Sequence, residues 1–184
     1  MSTNAVNLGV GNASGMFYHA PAGTKLPEYP TEKLAEAWNE VGYVSEDGIT
    51  WHHGRSATPL KDWSQTIRRQ IQEDPTGTVA VPVISTTEEV LKTLFGADNV
   101  TAEAADATHG KVIGVEIEEG VMSGEEAFLF LMKDGDDVMM LGTSNGFITA
   151  LDDITFDPTS PITWNATVSG SKWIFKKDDG QKTA

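Results

Sequence analysis

Ile162-Thr163-Trp164-Asn165-Ala166-Thr167-Val168 alternates apolar and polar residues without a break. Successive side chains of a strand point to opposite faces, so this period of two turns one face to a core and one to solvent. The pattern recurs upstream, where Ile113, Val115 and Ile117 alternate with Gly114, Glu116 and Glu118. Ala127 to Met132 is wholly apolar, and with Val138 to Leu141 it flanks Asp134-Gly135, a hairpin signal. Ile148 to Leu151 reads as a further strand, and Ser169-Gly170-Ser171 turns into another at Lys172 to Phe175.

The first half mixes periods. Met16 to Ala20 predicts a short strand that Pro21 stops. Thr31 caps an expected helix with Leu34, Ala37, Trp38 and Val41 on one face and Gly42 just past its end. Glu46-Asp47-Gly48 is a turn, Ile49 to His53 a strand, and Gly54 to Trp63 a loop. Gln65 to Gln72 fits either period. It is read as a strand, paired across Asp74-Pro75-Thr76-Gly77 with Thr78 to Ile84. Thr86 and Glu89 have capping-box spacing ahead of Val90, Leu91, Leu94 and Phe95, and Gly96 ends that helix. Many short strands with one or two short helices give a mainly β (α+β) fold, a β-sandwich or barrel-like domain. The domain is expected over 16–176, with a basic loop or hairpin at 55–76. Residues 1–15 read as a flexible arm and 177–184 as a frayed end.

The chain has 184 residues, no cysteine, 13 basic and 27 acidic residues, and a net charge of −14. Disulfides and thiolate metal sites are excluded. The charge repels nucleic acid at long range and argues against a DNA-binding module. No apolar run nears the roughly 18 residues of a membrane helix. Met1 to Gly15 lacks the basic and apolar regions of a signal peptide. The chain reads as soluble, with no membrane partner. Ala97 to Pro158 holds 14 acidic and two basic residues, whereas Arg55 to Gln72 holds Arg55, Lys61, Arg68 and Arg69 against Asp62 alone. This is either an ordinary acidic surface with one basic loop or two complementary faces on a self-assembling subunit.

A search for chemistry finds none. His52-His53 would point to opposite faces of a strand and cannot chelate one metal together. His19 and His109 stand alone. Asp134, Asp136 and Asp137 lack the spacing of a calcium loop. Glu118-Glu119, Glu125-Glu126 and Asp152-Asp153 are adjacent pairs, not carboxylates facing each other across a cleft. Gly9-Val10-Gly11 lacks the strand and helix of a nucleotide loop. The five tryptophans read as core and interface anchors. No cofactor, metal or catalytic residue is expected.

Glu40-Val41-Gly42-Tyr43-Val44-Ser45-Glu46-Asp47-Gly48-Ile49-Thr50 resembles a segment of the tail tube (major tail) proteins of siphophages infecting Gram-positive bacteria. The order of features is similar too. Phe17 to Pro21 comes first, Lys61-Asp62-Trp63 follows the turn, and Thr86 to Gly96 runs into Asn99-Val100-Thr101. Phe156-Asp157-Pro158 to Thr167 is similar to the last strands of that family. The resemblance implies a β-sandwich with a flanking helix, assembled as stacked hexameric rings whose inner sheets join into one β-barrel. The partners it implies are further copies of the chain, a tape-measure protein, a tail terminator and baseplate or initiator proteins. DNA would pass through the lumen without specific binding. The location implied is the virion tail, assembled in the host bacterial cytoplasm.

Charge and symmetry agree with that picture. Negative lumen side chains keep phosphates mobile, ring closure removes sheet edges, and head-to-tail contacts favour complementary faces. The candidate inter-subunit contacts are Arg55, Lys61, Trp63, Arg68 and Arg69. The candidate lumen acids are Glu116, Glu118, Asp152 and Asp153. Another virion protein, a head–tail connector or a decoration protein, has the same composition and fold class. A β-sandwich carbohydrate-binding module is a further alternative.

Overall fold

The computed structural model describes residues 16–54, 57–72, 77–117 and 123–180. Its spine is a long hairpin of β9 (Glu126–Asp134) and β10 (Asp137–Leu151). Gly135, with φ of 62°, supplies the left-handed residue of the turn between them. β1 (Phe17–Pro21) pairs with the free edge of β9, and β2 (Asn39–Gly42) pairs with β1. The other edge of β10 is shared. Its first half pairs with β12 (Ile174–Asp178) and its second half with β11 (Trp164–Gly170), so one stretch of chain lies along it, interrupted at 171–173. β6 (Gly77–Val83) pairs with β11, and β3 (Thr50–His53) pairs with β6 and ends the sheet. Every pairing is antiparallel. The register of β10 slips between Thr143 and Gly146 against β9, and between Ile148 and Ala150 against β11. Such bulges bend and twist a strand, and here they fall in the half of β10 where the sheet passes from β12 to β11.

One face of this sheet carries the main core. Phe17, Phe128, Phe130, Leu141, Ile148, Val168 and the alternating Val79, Val81 and Val83 are buried there. Phe17 and Phe130 stack with ring centroids 4.8 Å apart. Each such phenylalanine contributes roughly 1.5–3 kcal/mol by burial. Helix α1 (Glu88–Phe95) covers this face with Val90, Leu91 and Leu94. A two-stranded sheet, β7 (Val100–Glu103) with β8 (Val112–Val115), extends the cover through Val100, Ile113 and Val115. The opposite face is covered only in part. Tyr18, Ala20, Leu129, Leu131 and Met140 lie under Leu26, Leu34 and Trp38 of the connection between β1 and β2. Ala127 to Leu131 is continuously apolar because both faces of β9 are buried.

The mainly β class expected from the alternating runs is what forms, with one α-helix among the described residues. The helix expected from Thr31 to Val41 does not form. Leu34 and Trp38 pack on one side of the sheet while Val41, in β2, packs on the other. No single helical face serves both cores, and tertiary packing overrides the local period. The stretch Gly54 to Trp63 is not all loop, because β4 (Ala57–Lys61) lies in it. β5 (Ile67–Gln72) pairs with β4 rather than with β6, whose two edges are taken by β11 and β3. The turn expected over 74–76 lies outside the described residues, as do the 1–15 arm and 181–184. β10 runs unbroken through Ile148. The cap of α1 is Thr87, whose hydroxyl accepts from the Val90 amide at 3.3 Å, while the Thr86 hydroxyl accepts from Trp164 Nε1 at 3.1 Å. Lys177 and Asp178, expected to fray, are paired in β12, held by Lys177 Nζ on Asp137 at 2.9 Å and the Thr31 hydroxyl on Asp178 at 2.8 Å.

Trp173 closes the bend between β11 and β12 by lying across Gly77, donating its indole N–H to the Gly77 carbonyl at 2.8 Å. A Cβ on Gly77 would stand 2.5 Å from the indole. Gly77→Ala should therefore cost about 1–3 kcal/mol by overpacking, read as a lower urea midpoint. Gly54→Ala, where a Cβ meets nothing within 4 Å, should leave the midpoint in place.

Candidate functional site

The β4–β5 hairpin forms its own two-stranded sheet and does not pair with the main one. Its tip is organised by one carboxylate. Asp62 Oδ1 accepts from the Ser64 amide at 2.9 Å, the Ser64 hydroxyl at 2.6 Å and the Thr66 amide at 3.0 Å. Asp62 Oδ2 accepts from Arg68 Nε at 2.6 Å. These donors, the Ser64 hydroxyl foremost and then Arg68, hold the Asp62 carboxyl below its ordinary value. The Asp62 amide also donates to the Thr66 carbonyl at 3.0 Å, and Gln65 takes φ of 63°. A polar knot thus fixes the turn, and the turn presents Trp63 at 101% relative exposure. Burial is the ordinary state of so large an apolar group, and exposed aromatics of this kind mark interaction sites.

Around Trp63 stand the other expected contact residues. Lys61, Arg68 and Arg69 are exposed, with Leu60 and Ile67 also largely exposed beside them. Leu60 faces Arg69 in register, and Lys61 faces Ile67. The hairpin is therefore a basic, apolar-studded projection. Arg68 differs from its neighbour, because its guanidinium is engaged by Asp62 within the tip. Arg55 lies outside the described residues.

The expected acidic residues are not brought together. Asp152 and Asp153 follow β10 and are exposed, and the Asp152 amide donates to the Asn165 carbonyl at 2.9 Å. Asp152 lines a shallow hollow with Asp47, Thr50, Ala80, Pro82 and Asn165, on the sheet face away from α1. Glu116 follows β8 in the α1 layer, its amide donating to the Asn99 carbonyl at 2.9 Å. Glu118 lies outside the described residues.

Glu88 and His19 each join elements distant in sequence. Glu88 at the start of α1 receives Lys92 Nζ at 2.6 Å and Lys111 Nζ at 2.6 Å. Lys111 precedes β8, so the clamp ties the small sheet to the helix. Hydrogen bonds from Lys111 and then Lys92 take the Glu88 pKa from 4.5 to about 2. His19 on β1 reaches Glu126 on β9 at 2.9 Å and Glu89 on α1 at 3.7 Å. Sequence reading left His19 alone, because only the fold brings its partners near. His52 and His53 do point to opposite faces, opposite Thr78 and Gly77, and His53 packs on Trp51 with ring centroids 5.5 Å apart. Among the described residues no three His, Asp or Glu are grouped to hold a metal ion, and no helix is long and apolar enough to cross a membrane.

A family model described as phage tail tube protein matches residues 1–167. No curated protein matches the sequence. Among solved structures, the chain is similar to the tube-terminating cap of the anti-feeding prophage, at 11% identity and TM-score 0.47, over 97% of this chain and 100% of that one. It is also similar to a chain of the sheath–tube complex of an extracellular contractile injection system, PVC, in the extended state. There the identity is 12% and the TM-score 0.47, over 96% of this chain and 98% of that one.

The Glu88 clamp has a pH signature. A carboxylate with a depressed folded pKa stabilises the fold above its unfolded pKa, and that contribution is lost as pH falls through the folded value. Glu88→Gln should therefore melt below the parent chain at neutral pH, and the gap should close between pH 4.5 and about 2. Melting curves followed by circular dichroism across that window check it.

Proposed function

We propose, because this chain belongs to the phage tail tube protein family, that it polymerises into stacked hexameric rings forming the tail tube of a siphophage, with a lumen that conducts DNA. The family makes the role structural and places the chain in a phage tail. The observation that carries the finer reading is the β4–β5 hairpin. A fixed projection with Trp63, Leu60 and Ile67 exposed beside Lys61 and Arg69 suits docking on an acidic face of the next subunit or ring. The sheet order also ends at two edge strands, β2 and β3, although residues 43–45 after β2 bond to the end of β6, the Ser45 amide donating to the Pro82 carbonyl at 2.8 Å. A head-to-tail contact between such edges generates a closed ring.

In this reading Asp152 and Asp153 supply negative charge toward the lumen, joined by Asp47, while Glu116 belongs to the layer outside it. DNA passes without specific binding. The partners are further copies of the chain, a tape-measure protein along the axis, and terminator and baseplate or initiator proteins at the ends. Assembly takes place in the cytoplasm of the bacterial host. A carbohydrate platform is disfavoured by the tryptophans, since Trp38 and Trp164 are buried and Trp173 is packed against the core.

Negative-stain electron microscopy at rising concentration, with light scattering, tests the tube. Hollow tubes of one diameter are expected. Isolated rings or binding to capsids would favour a connector or decoration protein. Trp63→Ala, and separately the double change Arg68→Glu with Arg69→Glu, should abolish tubes while the subunit keeps its circular dichroism spectrum. Normal tubes from both variants would overturn the hairpin's role.

A further inference from the structure

His19 lies between two carboxylates that belong to different layers. It stands two positions after Phe17 on β1, so it shares the sheet face that α1 covers. Its side chain is 12% exposed. Nδ1 lies 2.9 Å from Glu126 Oε2 of β9, and Nε2 lies 3.7 Å from Glu89 Oε2 in the first turn of α1. Nε2 is shut off from solvent and has no hydrogen-bond partner. A neutral imidazole carries one N–H, so in either tautomer one ring nitrogen turns its lone pair toward a carboxylate. That contact repels, and a buried polar atom without a partner costs free energy. A second ring proton removes both defects, because each nitrogen then donates to its own carboxylate. The Glu89 side chain is half exposed and has room to close the remaining gap. Among the described residues, the further charges at this corner belong to α1. Lys92 feels the Glu89 carboxylate, and Glu88 is engaged by Lys92 and Lys111. β2 sets the neutral Asn39 opposite His19.

We propose that His19 is a proton-operated latch tying the first turn of α1 to the β1–β9 edge of the sheet. Two consecutive glutamates anchor that turn in different directions. Glu88 holds Lys111 ahead of β8, and both groups stay charged throughout the neutral range. Glu89 faces His19, and that tie exists only while the ring carries its second proton. Imidazoles change charge between about pH 5 and 8. On the acid side of that range the helix turn is bound to the small sheet and to the main sheet alike. As pH rises the Nε2 proton leaves, its lone pair faces Glu89, and only the tie to the small sheet remains. The latch therefore contributes at low pH and is lost as pH rises, opposite in sign to the Glu88 clamp. Val90, Leu91 and Leu94 stay buried in either state, so the helix remains docked and the change is confined to its first turn. The inference concerns the isolated subunit and is independent of the tube.

Amide hydrogen exchange of the full chain, read at Val90 and Leu91, tests the latch. These two amides donate to the Thr87 hydroxyl and carbonyl and so report the first turn directly. Protection is corrected for the intrinsic pH dependence of exchange. It should be about threefold or more higher at the acid end of the imidazole range than at the alkaline end, the size expected of a partly exposed ion pair. Glu89→Gln and His19→Gln should each remove most of that difference. Replacing the other histidines, His52, His53 and His109, by Gln should leave it in place. Should His19→Gln fail to fold, Glu89→Gln, changed at a half-exposed position, decides alone. Equal protection at both ends of the range in the parent chain would overturn the inference. So would an undiminished difference in Glu89→Gln, or its loss when only the other three histidines are replaced.

Discussion

The fold depends on β10, because one edge of that single strand must serve two different partners. β12 occupies its first half and β11 its second. In the order of the sheet, β6 and β3 are reached through that shared edge, while the chain after β2 bonds independently to the end of β6, the Ser45 amide donating to the Pro82 carbonyl at 2.8 Å. Main-chain hydrogen-bonding groups must be satisfied along the whole strand, so the chain from Trp164 to Asp178 has little freedom except at the bend near Trp173. That bend is filled by an indole lying on Gly77, which couples β6 to the same corner. The register slips at Thr143 and Ile148 sit beside it. A long strand, two bulges and one aromatic plug thus place a second sheet half beside the first.

The two halves differ in what covers them, and this difference organises the surface. The side toward α1 is covered by the helix and by the small β7–β8 sheet, joined through Glu88. Among the described residues, the side away from α1 has an irregular cover over one half and none over the other. The acids Asp47 and Asp152 adjoin Thr50 of the edge strand β3, and the basic β4–β5 hairpin follows β3 in the chain. A head-to-tail polymer needs unlike surfaces on one subunit, since a patch that met its own kind would close a dimer instead.

Strands were legible where burial sets the side-chain pattern, on one face in β11 and on both faces in β9. Ile162 to Val168 and Ala127 to Met132 could be read because their side chains report burial directly. The same logic failed between Thr31 and Val41, where apolar residues at helical spacing serve cores on opposite sides of a sheet. No local pattern distinguishes that from a helix. Pairing was less legible than strand position, as the partner of β5 shows. Of the expected contact residues, Lys61, Trp63, Arg68 and Arg69 do cluster, because they belong to one hairpin and sequence proximity sufficed. The acids did not cluster, because alternation says that Glu116 is exposed but not on which layer. Asp62 was readable in principle, since Asp and Ser favour turns that bond their own backbone. The partners of His19 were not, being 70 and 107 positions away along the chain.

The knot around Asp62 has a thermodynamic consequence for association. A loop that must order on contact loses conformational entropy at that moment, on the order of 0.5–1.5 kcal/mol for each immobilised side chain. The tip carrying Trp63 has lost that freedom beforehand, in the isolated subunit, through hydrogen bonds internal to the hairpin. In the proposed docking, more of the free energy of the contacts is therefore retained. The same rigidity removes tolerance for misplacement, because a fixed tip cannot adapt to a surface of the wrong shape. Pre-organisation of this kind favours a repeating lattice with one permitted spacing over loosely ordered aggregates.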